Sequence, residues 1–173
     1  QTTTAGLDGV PSTQKVAAFT GRAGLAYVFD SGIAPYVSYA TSFAPQVGVD
    51  VSGTPFKPTT GEQKEIGIKY QMPQVPVLLT AAVFDITQDN VLRTDPNSMA
   101  FQAATGQVES KGVELEAKLA LKQGFDLTAA YTHLNVVIMQ GNPDTTGNEL
   151  SGIPRNSFAA FGKYTFQSGV PVE

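Results

Sequence analysis

The chain has no cysteine and a single histidine among 173 residues. The missing cysteines exclude disulfide stapling and thiolate metal sites, and they suit an envelope compartment in which free thiols would oxidise. With one histidine, His133, the general-base repertoire is thin. No nucleophile elbow accompanies it, so a Ser-His-Asp triad has no basis. His133 sits in an apolar run beside Tyr131 and reads as a structural or interface residue. Metal ligation fares no better: Asp85, Asp89 and Asn90, and again Asp95 and Asn97, lack the spacing of a calcium loop and read as ordinary loop polarity. No catalytic residue, cofactor site or metal site is therefore expected.

Long apolar runs are missing as well. No stretch approaches the roughly 20 apolar residues of a membrane-spanning helix, and the hydrophobic fraction is 42%. Charge of one sign is scarce: 11 Lys and Arg stand against 15 Asp and Glu, with the basic residues dispersed. That pattern offers nothing to a phosphate backbone, so a nucleic-acid partner is not expected. Met, a charged n-region and an apolar h-region are all lacking at the start, so the chain is expected to be mature or internal.

What the sequence does have is period-two patterning. In GVELEAKLAL, Val113, Leu115, Ala117, Leu119 and Leu121 share one face while Glu114, Glu116 and Lys118 share the other. EIGIKY splits Ile66, Ile68 and Tyr70 from Glu65, Gly67 and Lys69. SFAAFGKYTF splits Phe158, Ala160, Tyr164 and Phe166 from Ser157, Lys163 and Thr165. Strands are predicted at 18–29, 34–43, 62–71, 77–87, 108–121, 125–136 and 155–166, and residues 1–15 read as a mobile loop.

The connections alternate in length. Tight turns fall at Asp30-Ser31-Gly32, Pro73-Gln74-Val75-Pro76 and Lys122-Gln123-Gly124. Long connections, rich in Gly, Pro, Asn, Asp and Thr, occupy 44–61, 88–107 and 137–154. An up-and-down barrel in an outer membrane has this arrangement, with short periplasmic turns and longer extracellular loops. The short-turn end, with Gly32, Gln74 and Gln123, is thus expected opposite the end with Gly53, Asn97 and Gly147. Tyr27, Phe29, Tyr36, Tyr70, Phe125, Tyr164 and Phe166 lie within a few residues of the short turns, where a periplasmic aromatic girdle belongs.

Five phrases carry a family resemblance: APYVSYATSFAPQ, FKPTTGEQKEIGIKYQ, LLTAAVFDITQDNVLRTDP, QVESKGVELEAKLAL and GIPRNSFAAFGKYTF. Together they resemble the barrel of TonB-dependent ferric-siderophore receptors, the ferrichrome and other hydroxamate receptors above all. Two departures stand out. His133 stands where the family often has Tyr, and VVIMQGN is more apolar than a family loop.

The resemblance implies an all-β, antiparallel up-and-down transmembrane barrel of about 22 strands around a globular plug. About seven strands are expected here, from the later middle of that barrel. Residues 1–15 would be an extracellular loop remnant and 16–173 barrel wall, with the plug domain and remaining strands absent. The implied partners are a ferric siderophore as transported ligand, the receptor's own plug and remaining strands, outer-membrane lipid, and the TonB complex through an N-terminal region. On this reading Arg22, Glu65, Lys69, Glu114, Glu116, Lys118 and Lys163 face the lumen or plug. Arg93 and Phe101 are the candidate ligand-loop residues, a cation for an anionic chelate and a ring to pack on it. The competing reading is a structural or adhesive two-layer β-sandwich, in which the same charges form a solvated face.

Overall fold

The computed structural model describes residues 2–5, 11–14, 16–95, 98–121, 124–141 and 143–166. Nine strands follow in chain order: β1 Thr2–Ala5, β2 Pro11–Gln14, β3 Arg22–Ala26, β4 Ile33–Ala44, β5 Thr59–Gln71, β6 Val77–Asp95, β7 Ser98–Leu121, β8 Phe125–Gln140 and β9 Asn156–Tyr164. β1 and β2 pair only with each other. The opening stretch, which shows no periodicity, thus holds a short antiparallel ribbon.

The other seven form one sheet in the order β3-β4-β5-β6-β7-β8-β9, every neighbour antiparallel. Chain order equals spatial order, with no Greek-key crossing, as an up-and-down wall requires. β3 and β9 are its two edges. The β3–β4 turn closes with Gly32 N–H donating to Phe29 at 2.9 Å. Gly32 has a φ of 86°, and a side chain there would run into the Gln71 carbonyl, so glycine is required. The β5–β6 turn bends at Gln74, φ 65°. Lys122 and Gln123 of the β7–β8 turn lie outside the described residues, as do Pro96 and Asn97 between β6 and β7. Antiparallel pairing nevertheless puts the three short turns at one end of the sheet and the β4–β5, β6–β7 and β8–β9 connections at the other.

Two of the long connections are loops, 45–58 and 141–155, and the third is not. The expected loop 88–107 is strand on both sides: Val91 pairs with Thr105, Leu92 with Ala104, Arg93 with Ala103 and Thr94 with Gln102. Loop-like composition misleads because its Asn and Gly residues serve a kink. Asn90 has a φ of 58° in mid-strand, and the ladder skips from Asp89↔Gln107 to Val91↔Thr105. β5 ends beside this level, Thr60 pairing with Asp89, and β8 ends at Gln140 opposite Gln107. Past it, β6 and β7 continue alone as a two-stranded arm with its own register shift at Thr94/Asp95. β8 likewise runs four residues past its predicted end. At the other extreme β3 is shorter than predicted, although Tyr27 and Phe29 still donate to Pro35 and Ile33 and prolong the hairpin.

The register sorts the faces. One carries Val37, Ile66, Val83 and Val113 in one cross-strand row, and Ile68, Ala81, Leu115, Tyr131 and Phe158 in the next. Most of these side chains are exposed; Leu115 retains 47% of its surface and Ile66 56%. The opposite face holds Ser38, Glu65, Tyr36, Lys69, Thr80, Glu114 and Thr132. Among the described residues no second sheet covers the apolar face, whereas a sandwich would bury it at close quarters. A wall with apolar residues on one face and polar residues on the other has the alternation of an outer-membrane barrel, apolar outward and polar inward.

Candidate functional site: the inner wall and the outer mouth

The inner face brings the predicted lumen residues to one side. Arg22 is opposite Ala40, whose neighbour across the sheet is Gln63, on the same face as Glu65 and Lys69. Glu114 and Glu116 pair with Ala82 and Thr80, Lys118 with Leu78, and Lys163 with Asp126. Lys118 Nζ lies 2.5 Å from Glu116 Oε1. All seven therefore share the face away from the apolar rows, though their roles toward a partner rest on more than placement.

Tyr36 overturns one expectation. Its closeness to a short turn suggests the girdle, but parity and register put it on the inner face opposite Gly67. The other six girdle residues keep the outward parity. Tyr27 and Phe29 meet edge to face with centroids 4.7 Å apart, and Tyr164 and Phe166 do the same. Phe125 pairs with Tyr164, and Tyr70 sits between Ile33 and Leu79.

On the outer face a charged belt lies just above the apolar rows, and sequence reasoning passed over it. Lys64, Asp85, Lys111 and Asn135 form one cross-strand row. Glu62, Thr87 and Glu109 form the row above. Lys111 Nζ approaches Glu109 at 2.8 Å and Asp85 at 3.5 Å, and Lys64 meets Glu62 at 2.8 Å. The signal was present in EQKEI, where Glu62 and Lys64 share the parity of Ile66 but follow the end of the apolar run. On β7 the apolar positions run from Leu121 to Val113. Eight residues span about 27 Å along a strand, or about 20 Å of height at a tilt of 35–45°, close to the apolar band of an outer-membrane barrel. His133 is at the top of that band, its Nδ1 2.8 Å from Asn156 Oδ1, which also accepts the Tyr131 hydroxyl at 2.9 Å.

At the mouth, loop 45–58 is folded on itself. Asp50 Oδ1 accepts from Ser52 N–H at 2.8 Å, from the Ser52 hydroxyl at 2.6 Å and from Thr54 N–H at 2.9 Å. The Ser52 hydroxyl, then the Thr54 amide, hold the Asp50 carboxyl below its ordinary range. Phe56 is buried at the loop's base. Asn90 ties the loop to the arm: its amide donates to the Pro58 carbonyl at 3.0 Å, and its own carbonyl accepts from the Thr59 hydroxyl at 3.0 Å. A groove of about 450 Å³ lies between loop and arm, bounded by Asp50, Phe56, Lys57, Asn90 and Gln102. Arg93 pairs with Ala103 on the arm; the other candidate ligand residue, Phe101, has its side chain outside the described residues. In the far loop, Arg155 clasps Glu149 through two hydrogen bonds.

The oxygen-bearing residues weighed as metal ligands serve the fold: Asp85 pairs with Lys111, Asp89 Oδ1 accepts from Gln107 at 3.0 Å, and Asn90 holds Pro58. Among the described residues no group of three or more metal-ligating side chains is found. Two hollows, of about 620 and 690 Å³, lie chiefly among outward-pointing side chains of the apolar face.

Known proteins share this arrangement. The chain is 37% identical over 153 residues to the ferrichrome outer membrane transporter/phage receptor of Escherichia coli, covering 87% of the chain and 20% of that protein. With the ferrioxamine B receptor of Salmonella typhimurium the identity is 38% over 149 residues, covering 86% and 21%. The solved alcaligin outer membrane receptor of Bordetella pertussis superposes with a TM-score of 0.64 at 26% identity, covering 93% of this chain and 29% of that one. The ferripyoverdine receptor of Pseudomonas aeruginosa gives 0.68 at 23% identity, covering 90% and 21%, a likeness of fold. This chain thus spans about a fifth of the length of the curated relatives it matches. These relatives are outer-membrane transport receptors, in keeping with a non-catalytic role and with an outer-membrane location. The family described as TonB dependent receptor-like, beta-barrel, matches residues 1–171, and the chain belongs to it, as a segment of the barrel wall.

Proposed function

We propose that this segment forms part of the wall and mouth of an outer-membrane receptor that takes up a ferric siderophore using energy delivered through a TonB complex. One observation carries the reading: a single antiparallel wall, apolar outside and charged inside, matches receptors for ferrichrome and ferrioxamine B at 37% and 38% identity. On this reading residues 16–173 are barrel wall and residues 1–15 belong to an extracellular loop. Arg22, Glu65, Lys69, Glu114, Glu116, Lys118 and Lys163 face the receptor's plug. Loop 45–58, the β6–β7 arm with Arg93 and Phe101, and loop 141–155 surround the entrance, where loops on a rigid scaffold carry specificity. The outer apolar rows meet lipid, and the plug, remaining strands and TonB-contacting region come from the rest of the receptor.

The test is replacement of the matching stretch of the Escherichia coli ferrichrome transporter by this chain, in a strain lacking its own receptor. Surface level and uptake of ferric hydroxamates are measured. The chimera is expected at the surface and to restore uptake of at least one ferric chelate. Normal surface level with no uptake of any ferric chelate would overturn the transport reading.

A further inference from the structure

On β5, Gly67 lies between Glu65 and Lys69 on the inner face, with Tyr36 of β4 directly opposite. The Tyr36 side chain lies across that glycine: a Cβ placed on Gly67 would be 2.6 Å from two ring carbons and from the hydroxyl oxygen. Only a missing side chain lets the ring lie there. The Lys69 ammonium is 5.2 Å from the ring centroid, a cation–π distance, while Glu65, which accepts from the Gln63 amide at 3.1 Å, stands at the next position of the same face. One ring thus lies beside an acid and a base of the same strand, with the base over its face. The motif recurs two strands on. Phe84, the direct neighbour of Glu65, lies over Gly112, where an added Cβ would meet its ring at 2.5 Å. Aromatic rings covering cross-strand glycines pin register, and register decides where every inner charge stands.

We propose that Tyr36 is a positioning residue of the inner wall: laid across Gly67, it holds the Glu65 carboxylate and the Lys69 ammonium in set places as a docking pair for the domain that fills the lumen. The proposal rests on the plug-facing reading of this wall. Tyr36 makes no contact with substrate; it acts through Glu65 and Lys69. Glu114 shares the cross-strand row of Gly67 and Ala82 and extends the same charged surface.

The experiment uses the full-length receptor, reconstituted in liposomes, with two readouts: the urea midpoint of barrel unfolding, and passive leak of a small hydrophilic dye through an imperfectly filled lumen. Gly67→Ala should lower the midpoint in the native background and lose most of that effect with Tyr36→Ala, because the clash is with the ring. Tyr36→Phe keeps the ring and removes its hydroxyl, so the midpoint should hold while leak rises several-fold. Glu65→Gln should raise leak alike, and the double variant no further. A Gly67→Ala effect independent of Tyr36 would overturn the placement. Leak unchanged in Tyr36→Phe, or additive with Glu65→Gln, would overturn the positioning role. Failure of the unmodified receptor to take up any ferric chelate would instead remove the transport reading, and the midpoint cycle would still decide the clamp.

Discussion

Below Asn90 every strand of the main sheet has a neighbour, and the two faces differ in kind; above it, β6 and β7 continue with no strand beside them. The lower region is held by register and by the solvents on its two sides. There, a one-residue slip would turn Leu115 inward and Glu114 into lipid, so each residue is constrained. The arm has no such sorting, since both its faces stand above the charged belt of Lys64, Asp85 and Lys111. Below Asn90 the sequence answers to membrane physics, and above it to whatever comes to the mouth.

The contrast can be broken most sharply at the apolar rows. In the full-length receptor, Leu115→Arg near the bilayer midplane should cost about 2 to 4 kcal/mol of folding stability in lipid. Lys118→Gln on the inner face should cost below about 0.5 kcal/mol. Equal costs from urea titrations in liposomes would reverse the assignment of faces.

A smaller effect is expected at the boundary. Asn90 combines a left-handed backbone with an amide bond to Pro58, so Asn90→Val should cost roughly 1 to 3 kcal/mol and Asn90→Gly distinctly less. The check is the unfolding midpoint together with protease cleavage of the arm. If Val and Gly behave alike, backbone strain is not what sets the kink.

Exchange of Arg93 through Phe101 for a short Gly-Ser linker should leave surface level and midpoint nearly unchanged, since no neighbouring strand loses a partner. On the proposed transport reading, in which the arm borders the entrance, iron-chelate uptake should fall. Full uptake at normal surface level would take the arm out of the ligand path.

The mildest effect concerns Asp50. A carboxyl held below its ordinary range stabilises its turn above the unfolded pKa and loses that contribution as pH falls through the folded value. Protease sensitivity of loop 45–58 should therefore be low at neutral pH and rise only under strong acid. Asp50→Asn should raise it already at neutral pH; no difference between the two proteins would show that the turn does not depend on the charge.

How much of this was legible depends on which force set each element. Period-two alternation gave the faces of β5, β7 and β9 because lipid on one side and polar contents on the other impose it residue by residue. Parity put Glu65, Lys69, Glu114, Glu116, Lys118 and Lys163 on the second face, whereas Arg22 and the lumen-facing role came with the resemblance. Tyr36 was misplaced where nearness to a turn outweighed parity: its even number aligns it with Ala34 and Ser38, not with the outward Ile33 and Val37. The arm was hidden because strands beyond the apolar band need no alternation, and Asn90 and Gly106 carry the composition of a loop. No local signal marks the bond from Asn90 to Pro58, which joins positions 32 residues apart.

The length of β7 has a consequence for the cell surface. From Val113, at the top of the apolar band, to Ser98 is fifteen residues of strand, about 50 Å along the chain and some 35 to 40 Å of height at barrel tilt. Ser98 therefore stands well clear of the apolar band, a mast above the deck. On the proposed reading that this end faces outside, antibodies or other macromolecules would meet the far end of β7 before the apolar rows, and a short peptide tag between Asp95 and Ser98 would be readable on intact cells.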